Sequence, residues 1–171
     1  MDLAAEVPAT EALADFDAFF RDAFAGVARA AALVARDPGV GQELAQEAFF
    51  RLYERWGRIE SLEHARRFAY RVAINLARSH VRKHLRVVLA GLEPGGRGEA
   101  PATRSEDWLV VSAALAELSA RQRAVVVLVD YVDMDAAEAG TVLGISAATV
   151  RAHLLRGRRA LRERLGMGEE A

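Results

Sequence analysis

The chain contains no cysteine. That excludes disulfides, thiolate catalysis and cysteine-based zinc or iron–sulfur centres, and it fits a reducing compartment. Lysine is nearly absent: Lys83 stands alone, so arginine carries the positive charge. No apolar run approaches the roughly 20 residues of a membrane span. The opening stretch, MDLAAEVPATEALADFD, is acidic and lacks the basic-then-apolar order of a signal peptide. A cytoplasmic protein without membrane insertion is expected. Net charge is −1, which excludes coating DNA by charge alone.

What is present is helical periodicity. Hydrophobic residues make up 52% of the 171 residues, enough to bury one domain or two small ones. Leu13, Phe16, Phe20, Val27, Ala31 and Val34 recur at helical spacing. Asp37-Pro38 breaks that pattern, with Pro38 suited to a first helical position. Leu44, Ala48, Leu52 and Trp56 form the stripe of a second helix from Val40, ended by Gly57. Ser61 is placed to cap a third helix from Leu62 to about His84, with Phe68, Val72 and Leu76 turned inward. Three long helices with short connections predict a bundle.

From Arg86 to about Ser105 the periodicity stops, and LEPGGRGEAPATRS predicts a flexible linker. Helical spacing resumes at Trp108. Ser119 and Gln122 form a capping box. The run AVVVLVDYV that follows suits a buried strand by its β-branched content. The box before it and the lack of a partner strand favour helix.

Met134 to Leu165 is the most specific stretch. Asp135 and Glu138 make a capping box, Gly144 suits a left-handed helix terminus, and Ser146 caps a second, arginine-rich helix. A short helix, a glycine turn and a basic helix spell a helix-turn-helix, whose second helix enters the DNA major groove. On that helix Ala147, Val150, Leu154, Gly157, Leu161 and Leu165 share the core side. Ala148, Ala152, Arg156 and Arg159 lie opposite, with Thr149, Arg151 and His153 on the flanks. Small residues allow close approach and arginine can bind guanine through two hydrogen bonds.

A second candidate surface lies on the third helix. Arg67, Arg71, Asn75, Arg78 and Arg82 share one face, with Phe68 and Tyr70 nearby. Arginine for phosphate, an amide for a base edge and aromatics for stacking suit single-stranded or melting DNA. His80 and His84 have the i, i+4 spacing of metal ligands, but HVRKH lacks the glutamate of a metalloprotease, and Arg82 and Lys83 would repel a cation. No metal, no cofactor and no enzymatic activity are expected.

Taken together, ELAQEAFFRLYERW, FAYRVAINLARSHVRK and LSARQRAVVVLVDYVDMDAAEAGTVLGISAATVRAHLLRGRRALRERL resemble the extracytoplasmic-function sigma factors, small sigma-70-class proteins with regions two and four only. The likeness runs from about Phe16 to Leu165. It implies an all-α fold of two small domains: a three-helix region two over 13–85 and a helix-turn-helix region four over 108–165. An acidic tail over 1–12, a linker over 86–107 and a short tail over 166–171 complete the chain. It implies docking of Glu43, Gln46, Glu47 and Arg51 on the β′ subunit of core RNA polymerase, with the β subunit a further contact. It implies capture of the promoter minus-ten element by Arg67, Tyr70, Arg71, Asn75, Arg78 and Arg82, with the loop from Gly57 to Glu63 holding a flipped base. The minus-thirty-five element would be read by Ser146, Ala148, Thr149, Arg151, Ala152, His153 and Arg156. Family analogy adds an anti-sigma factor as a partner, which no residue specifies. Phe68 stands where many members have tryptophan, and Ala152-His153 replaces a common serine-arginine pair; both bear on the promoter sequence read. The alternative from the residues alone is a helix-turn-helix regulator that binds operators without polymerase.

Overall fold

The computed structural model describes residues 9–91 and 106–166. They form seven α-helices with a 3-10 turn and a π turn, and no strand among the described residues. The first bundle is α1 (Ala9–Ala35), α2 (Pro38–Tyr53) and α3 (Leu62–Leu89), with the 3-10 turn Trp56–Arg58 between the last two. Arg36 closes α1 in the left-handed conformation (φ 66), and the Arg36 and Asp37 amides both donate to Ala32 O. Asp37 then caps α2, accepting from the Val40 amide at 3.0 Å, with Pro38 in the first turn. At one end of the bundle the rings pack edge to face: Phe16 lies 5.1 Å from Trp56, and Phe20 lies 5.1 Å from Phe49.

Several boundaries differ from the sequence expectation. α1 starts at Ala9, inside the stretch expected to be a tail. α2 ends at Tyr53, before Gly57, because the chain tightens into the 3-10 turn. α3 runs on to Leu89, so Arg86 to Leu89 are helical and not linker; none of the four is buried, so no core stripe marks them. The remainder of the expected linker, 92–105, lies outside the described residues, and helix resumes at Glu106.

The inward stripe of α3 is also shifted. Ala65, Ala69, Ala73 and Ala77, with Tyr70 and Ile74, are buried, while Phe68, Val72 and Leu76 are only half-buried. Small alanines let α3 approach α1 and α2 closely, and the larger residues fall to the flank.

The second unit is α4 (Glu106–Ala116), α5 (Ala120–Val126), the π turn Val127–Tyr131, α6 (Ala136–Leu143) and α7 (Ala147–Leu165). Both expected capping boxes form, Ser119 with Gln122 and Asp135 with Glu138. The ambiguous run is helical. Its strand-like composition reflects burial on all sides, since Ala124 to Leu128 are all inside. It widens at its end, where the Val132 amide donates to Val127 O at 3.0 Å, five residues back. Leu128, Met134, Ala139, Val142, Leu143 and Val150 close this core; Leu165, expected on the core side of α7, is exposed. The two units pack on each other: α5 and α6 lie against α3, and the π turn lies against α1.

Candidate nucleic-acid interface

α6 and α7 have helix-turn-helix geometry. Asp135 Oδ1 accepts from the Ala137 and Glu138 amides at 2.7 and 2.8 Å, and Glu138 returns to the Asp135 amide at 3.1 Å. Gly144 takes the left-handed conformation (φ 67) that ends α6. Ser146 Oγ accepts from the Thr149 amide at 3.1 Å and starts α7. Val150 and Gly157 anchor α7 in the core. The opposite side presents Ser146, Ala148, Arg151 and Arg156 to solvent, with Thr149, Ala152 and His153 half-buried beside them. Arg159 is held by Glu163 at 3.0 Å, and Arg158 reaches back to both carboxylate oxygens of Asp130 at 3.2 Å. No carboxylate pairs with Arg151 or Arg156 among the described residues, which leaves those guanidiniums available to phosphate or base.

On α3 an open cavity of about 520 Å³ is lined by Arg51, Arg55, Phe68, Arg71, Val72, Asn75, Leu76, Ser79 and Arg82. Arg55 lies over the Phe68 ring, 5.6 Å from its centre. The cavity gathers Arg71, Asn75 and Arg82, expected from the α3 face, with Arg51, expected on the docking face of α2. Arg55 and Ser79 were missed by sequence reasoning. For Arg55 the signal was its place just after α2 in the turn that folds back towards Phe68. Arg67 stands apart, bonded to Glu63 at 2.7 Å and 3.9 Å from Glu138 of α6. Arg78 donates to Asn75 Oδ1 at 3.2 Å; burial first, then the Arg121 and Arg82 charges, pull its pKa down.

Tyr70 is a correction. It is buried at 6% exposure, facing α1, where a side chain on Gly26 would meet its hydroxyl at 3.0 Å. Burial raises its pKa, against the nearby Arg66 charge. The residue belongs to the bundle core and is withdrawn from the DNA-facing set. His80 and His84 are both exposed on α3, and no group of three or more metal-ligating side chains occurs among the described residues.

The outer face of α2 exposes Glu43, Gln46 and Arg51, with Glu47 half-buried and bonded to Arg51 at 2.6 Å. Phe50 and Tyr53, at 59% and 47% exposure, sit on the same helix and were not singled out from the sequence. Their signal was present: AFFRLY carries more aromatic surface than one core stripe can bury.

Comparison with known proteins agrees with this arrangement. A family model for sigma-70 region 2 matches residues 19–87, and one for sigma-70, region 4 matches residues 109–161. The RNA polymerase sigma-E factor of Streptomyces coelicolor is 32% identical over 153 residues, spanning 88% of this chain and 86% of that protein. The protein of the same name from Streptomyces antibioticus is 35% identical over 130 residues, spanning 75% and 72%. Among solved structures, the sigma factor RpoE of Bartonella quintana, in complex with the anti-sigma factor NepR, superposes with a TM-score of 0.75 at 21% identity, covering 91% of this chain and 99% of that one. CnrH, in complex with the cytosolic domain of CnrY, gives 0.65 at 21% identity, over 92% and 91%. At such identity these two structures carry the fold, two helical units in the same order.

Proposed function

The chain belongs to the sigma-70 family, in its extracytoplasmic-function group, and from that membership we propose that three of its surfaces divide the work of promoter recognition. It is a sigma factor: it binds core RNA polymerase and directs promoter-specific initiation. The outer face of α2, with Glu43, Gln46, Glu47 and Arg51, docks on the β′ subunit. The α3 face, with Arg67, Arg71, Asn75, Arg78 and Arg82, holds the minus-ten element as it opens. The start of α7, with Ser146, Ala148, Thr149, Arg151, Ala152, His153 and Arg156, reads the minus-thirty-five duplex. The three helices α1 to α3 make up the polymerase-docking and melting unit, and α4 to α7 the duplex reader.

The observation that carries this division is the α3 cavity. It joins four guanidiniums, an amide and an aromatic ring in one open space. Guanidiniums neutralise phosphates, a ring stacks on a base, and an amide bonds a base edge. A duplex groove needs no such ring, whereas an unpaired nucleotide does. Holding unpaired bases couples recognition to melting, because each captured base offsets part of the cost of unstacking. The chain supplies binding energy, and the polymerase supplies the catalysis.

An anti-sigma factor is proposed as a further partner, since the similar sigma factor RpoE is in complex with one, NepR. No described helix is long and apolar enough to cross a membrane, and the proposed site of action is the cytoplasm, where promoter and polymerase meet.

Run-off transcription with core polymerase over a genomic promoter library tests the assignment. Discrete transcripts that require both chain and core are expected, with permanganate-reactive thymines near the minus-ten position. Duplex binding by the chain alone, without dependence on core, would favour an operator-binding regulator instead.

A further inference from the structure

The α3 cavity holds more positive charge than one unpaired nucleotide needs. Arg51 is already bonded to Glu47 at 2.6 Å. Arg55, Arg71 and Arg82 are exposed, and no carboxylate pairs with them among the described residues. A nucleotide within a strand brings a single charge for each phosphate. The amide in the cavity is also engaged: Asn75 Nδ2 donates to Val142 O of α6 at 3.1 Å, and Asn75 Oδ1 accepts from Arg78 at 3.2 Å. What the free chain leaves open is a stacking surface and three guanidiniums, not the group that reads a base edge.

The cavity also has a direction. Arg55 over the Phe68 ring gives a flat surface at one end. A second cavity of about 400 Å³ continues from there, sharing Arg51, Arg55 and Phe68 and adding Glu54. A carboxylate repels phosphate, so a base belongs at this end. Ser79 and Arg82 close the other end, beyond the half-buried Val72 and Leu76. From Phe68 to Arg82 is about 21 Å of helix axis, and long helical side chains lean towards the N-terminus, which draws Arg82 inward. The volume, about 520 Å³, falls within the roughly 300–1,000 Å³ of small-ligand sites.

We propose that this cavity binds a free nucleoside polyphosphate, its base stacked on the Arg55–Phe68 pair and its phosphates held by Arg71 and Arg82. The bound nucleotide occupies the space assigned to the unpaired promoter base, and so opposes promoter capture. That regulatory meaning rests on the assignment of α3 to unpaired DNA; the binding itself does not. The phosphates answer the guanidiniums and the base answers the ring, so the two parts together bind more tightly than either alone. With Asn75 engaged, adenine and guanine bind about equally, because stacking tolerates base identity.

The test titrates the full chain calorimetrically with ATP, GTP, adenosine and inorganic tripolyphosphate, at physiological ionic strength so that diffuse surface charge is screened. One saturable site is expected for ATP and for GTP. Tripolyphosphate should bind at least about fivefold more weakly than ATP, the low end of one stacked base, and adenosine more weakly still. Arg71→Gln and Arg82→Gln, both on the exposed face of α3, should each weaken ATP about tenfold, as for a lost hydrogen bond to a charged group. Arg29→Gln, the same loss of charge at an exposed position on α1, should leave ATP binding unchanged. Phe68→Leu should lower the affinity for ATP but not for tripolyphosphate. Circular dichroism melts establish that each variant is folded. Should Phe68→Leu unfold, the difference between ATP and tripolyphosphate on the parent carries the stacking arm. Tripolyphosphate as tight as ATP, an Arg29→Gln loss equal to that of Arg82→Gln, or no saturable binding at millimolar nucleotide overturns the site. The titration needs neither DNA nor polymerase. A chain that binds nucleotide and initiates nothing would refute the assigned function and leave the site, and a chain that initiates normally without binding nucleotide would do the reverse.

Discussion

Gly140 and Ile145 meet across the turn of the helix-turn-helix from both directions. The Ile145 amide donates to Gly140 O at 3.0 Å, and the Ile145 carbonyl oxygen lies 2.6 Å from where a Cβ on residue 140 would stand. The contact is backbone against side chain, so no rotamer change relieves it. The turn angle between α6 and α7 depends on residue 140 having no side chain.

Gly140→Ala is therefore expected to destabilise the second unit by about 1–3 kcal/mol, the range of an overpacked interior site. Thermal melts of the variant and of Gly57→Ala make the comparison, because a Cβ at Gly57 meets nothing within 4 Å. Equal melting temperatures for the two variants would contradict the role given to Gly140.

Arg156→Ala is expected to weaken binding to the minus-thirty-five duplex by roughly 1–3 kcal/mol, the value of a bidentate arginine–guanine contact. Arg156 is exposed on α7 opposite the Val150 and Gly157 anchors. Footprinting of the holoenzyme on a cognate promoter measures it. Parental occupancy by a folded variant would remove Arg156 from the reading surface.

Glu47 and Arg51 bond to each other one turn apart on α2. Exchanging them, Glu47→Arg with Arg51→Glu, keeps an internal pair but inverts the charge pattern shown to a partner. Stability should change by less than about 1 kcal/mol, as for exposed pairs generally. Affinity for core polymerase should fall, since charge complementarity governs association. Co-purification with core that is undiminished would place docking on another face.

The local features were legible because their signals are local. The Asp135 and Ser119 boxes, the Ser61 and Ser146 caps and the Gly144 terminus each depend on residues within four positions, and each forms as expected. The inward face of α3 was not legible. Its two apolar stripes, Phe68–Val72–Leu76 and Ala65–Ala69–Ala73–Ala77, compete on a helical wheel, and hydrophobicity favours the larger residues. Close approach of α1 and α2 selects the smaller ones. Tyr70 was misplaced for the same reason. The packing of the two units left no sequence signal at all: Arg123 finds Val34 O across 89 positions, and nothing near either residue marks the pairing.

His153 gives a prediction in pH. Its Nδ1 is buried with no hydrogen-bond partner among the described residues. Burial first, then the Arg121 and Arg156 charges, hold its pKa below the ordinary 6.5. The imidazole is therefore neutral in the folded chain at neutral pH. In the unfolded chain it takes up a proton near pH 6.5. As pH falls through that value the unfolded state binds more protons than the folded one, so stability declines. The decline starts near 6.5 and levels off only below the folded-state value. Between about pH 7.5 and about pH 5.5, the range over which histidine usually switches, the parent should lose more of its melting temperature than a His153→Gln variant. A His153 imidazole that titrates at or above 6.5 by NMR, or parallel losses in the two proteins, would show that this ring is solvated and that the start of α7 carries no buried neutral histidine.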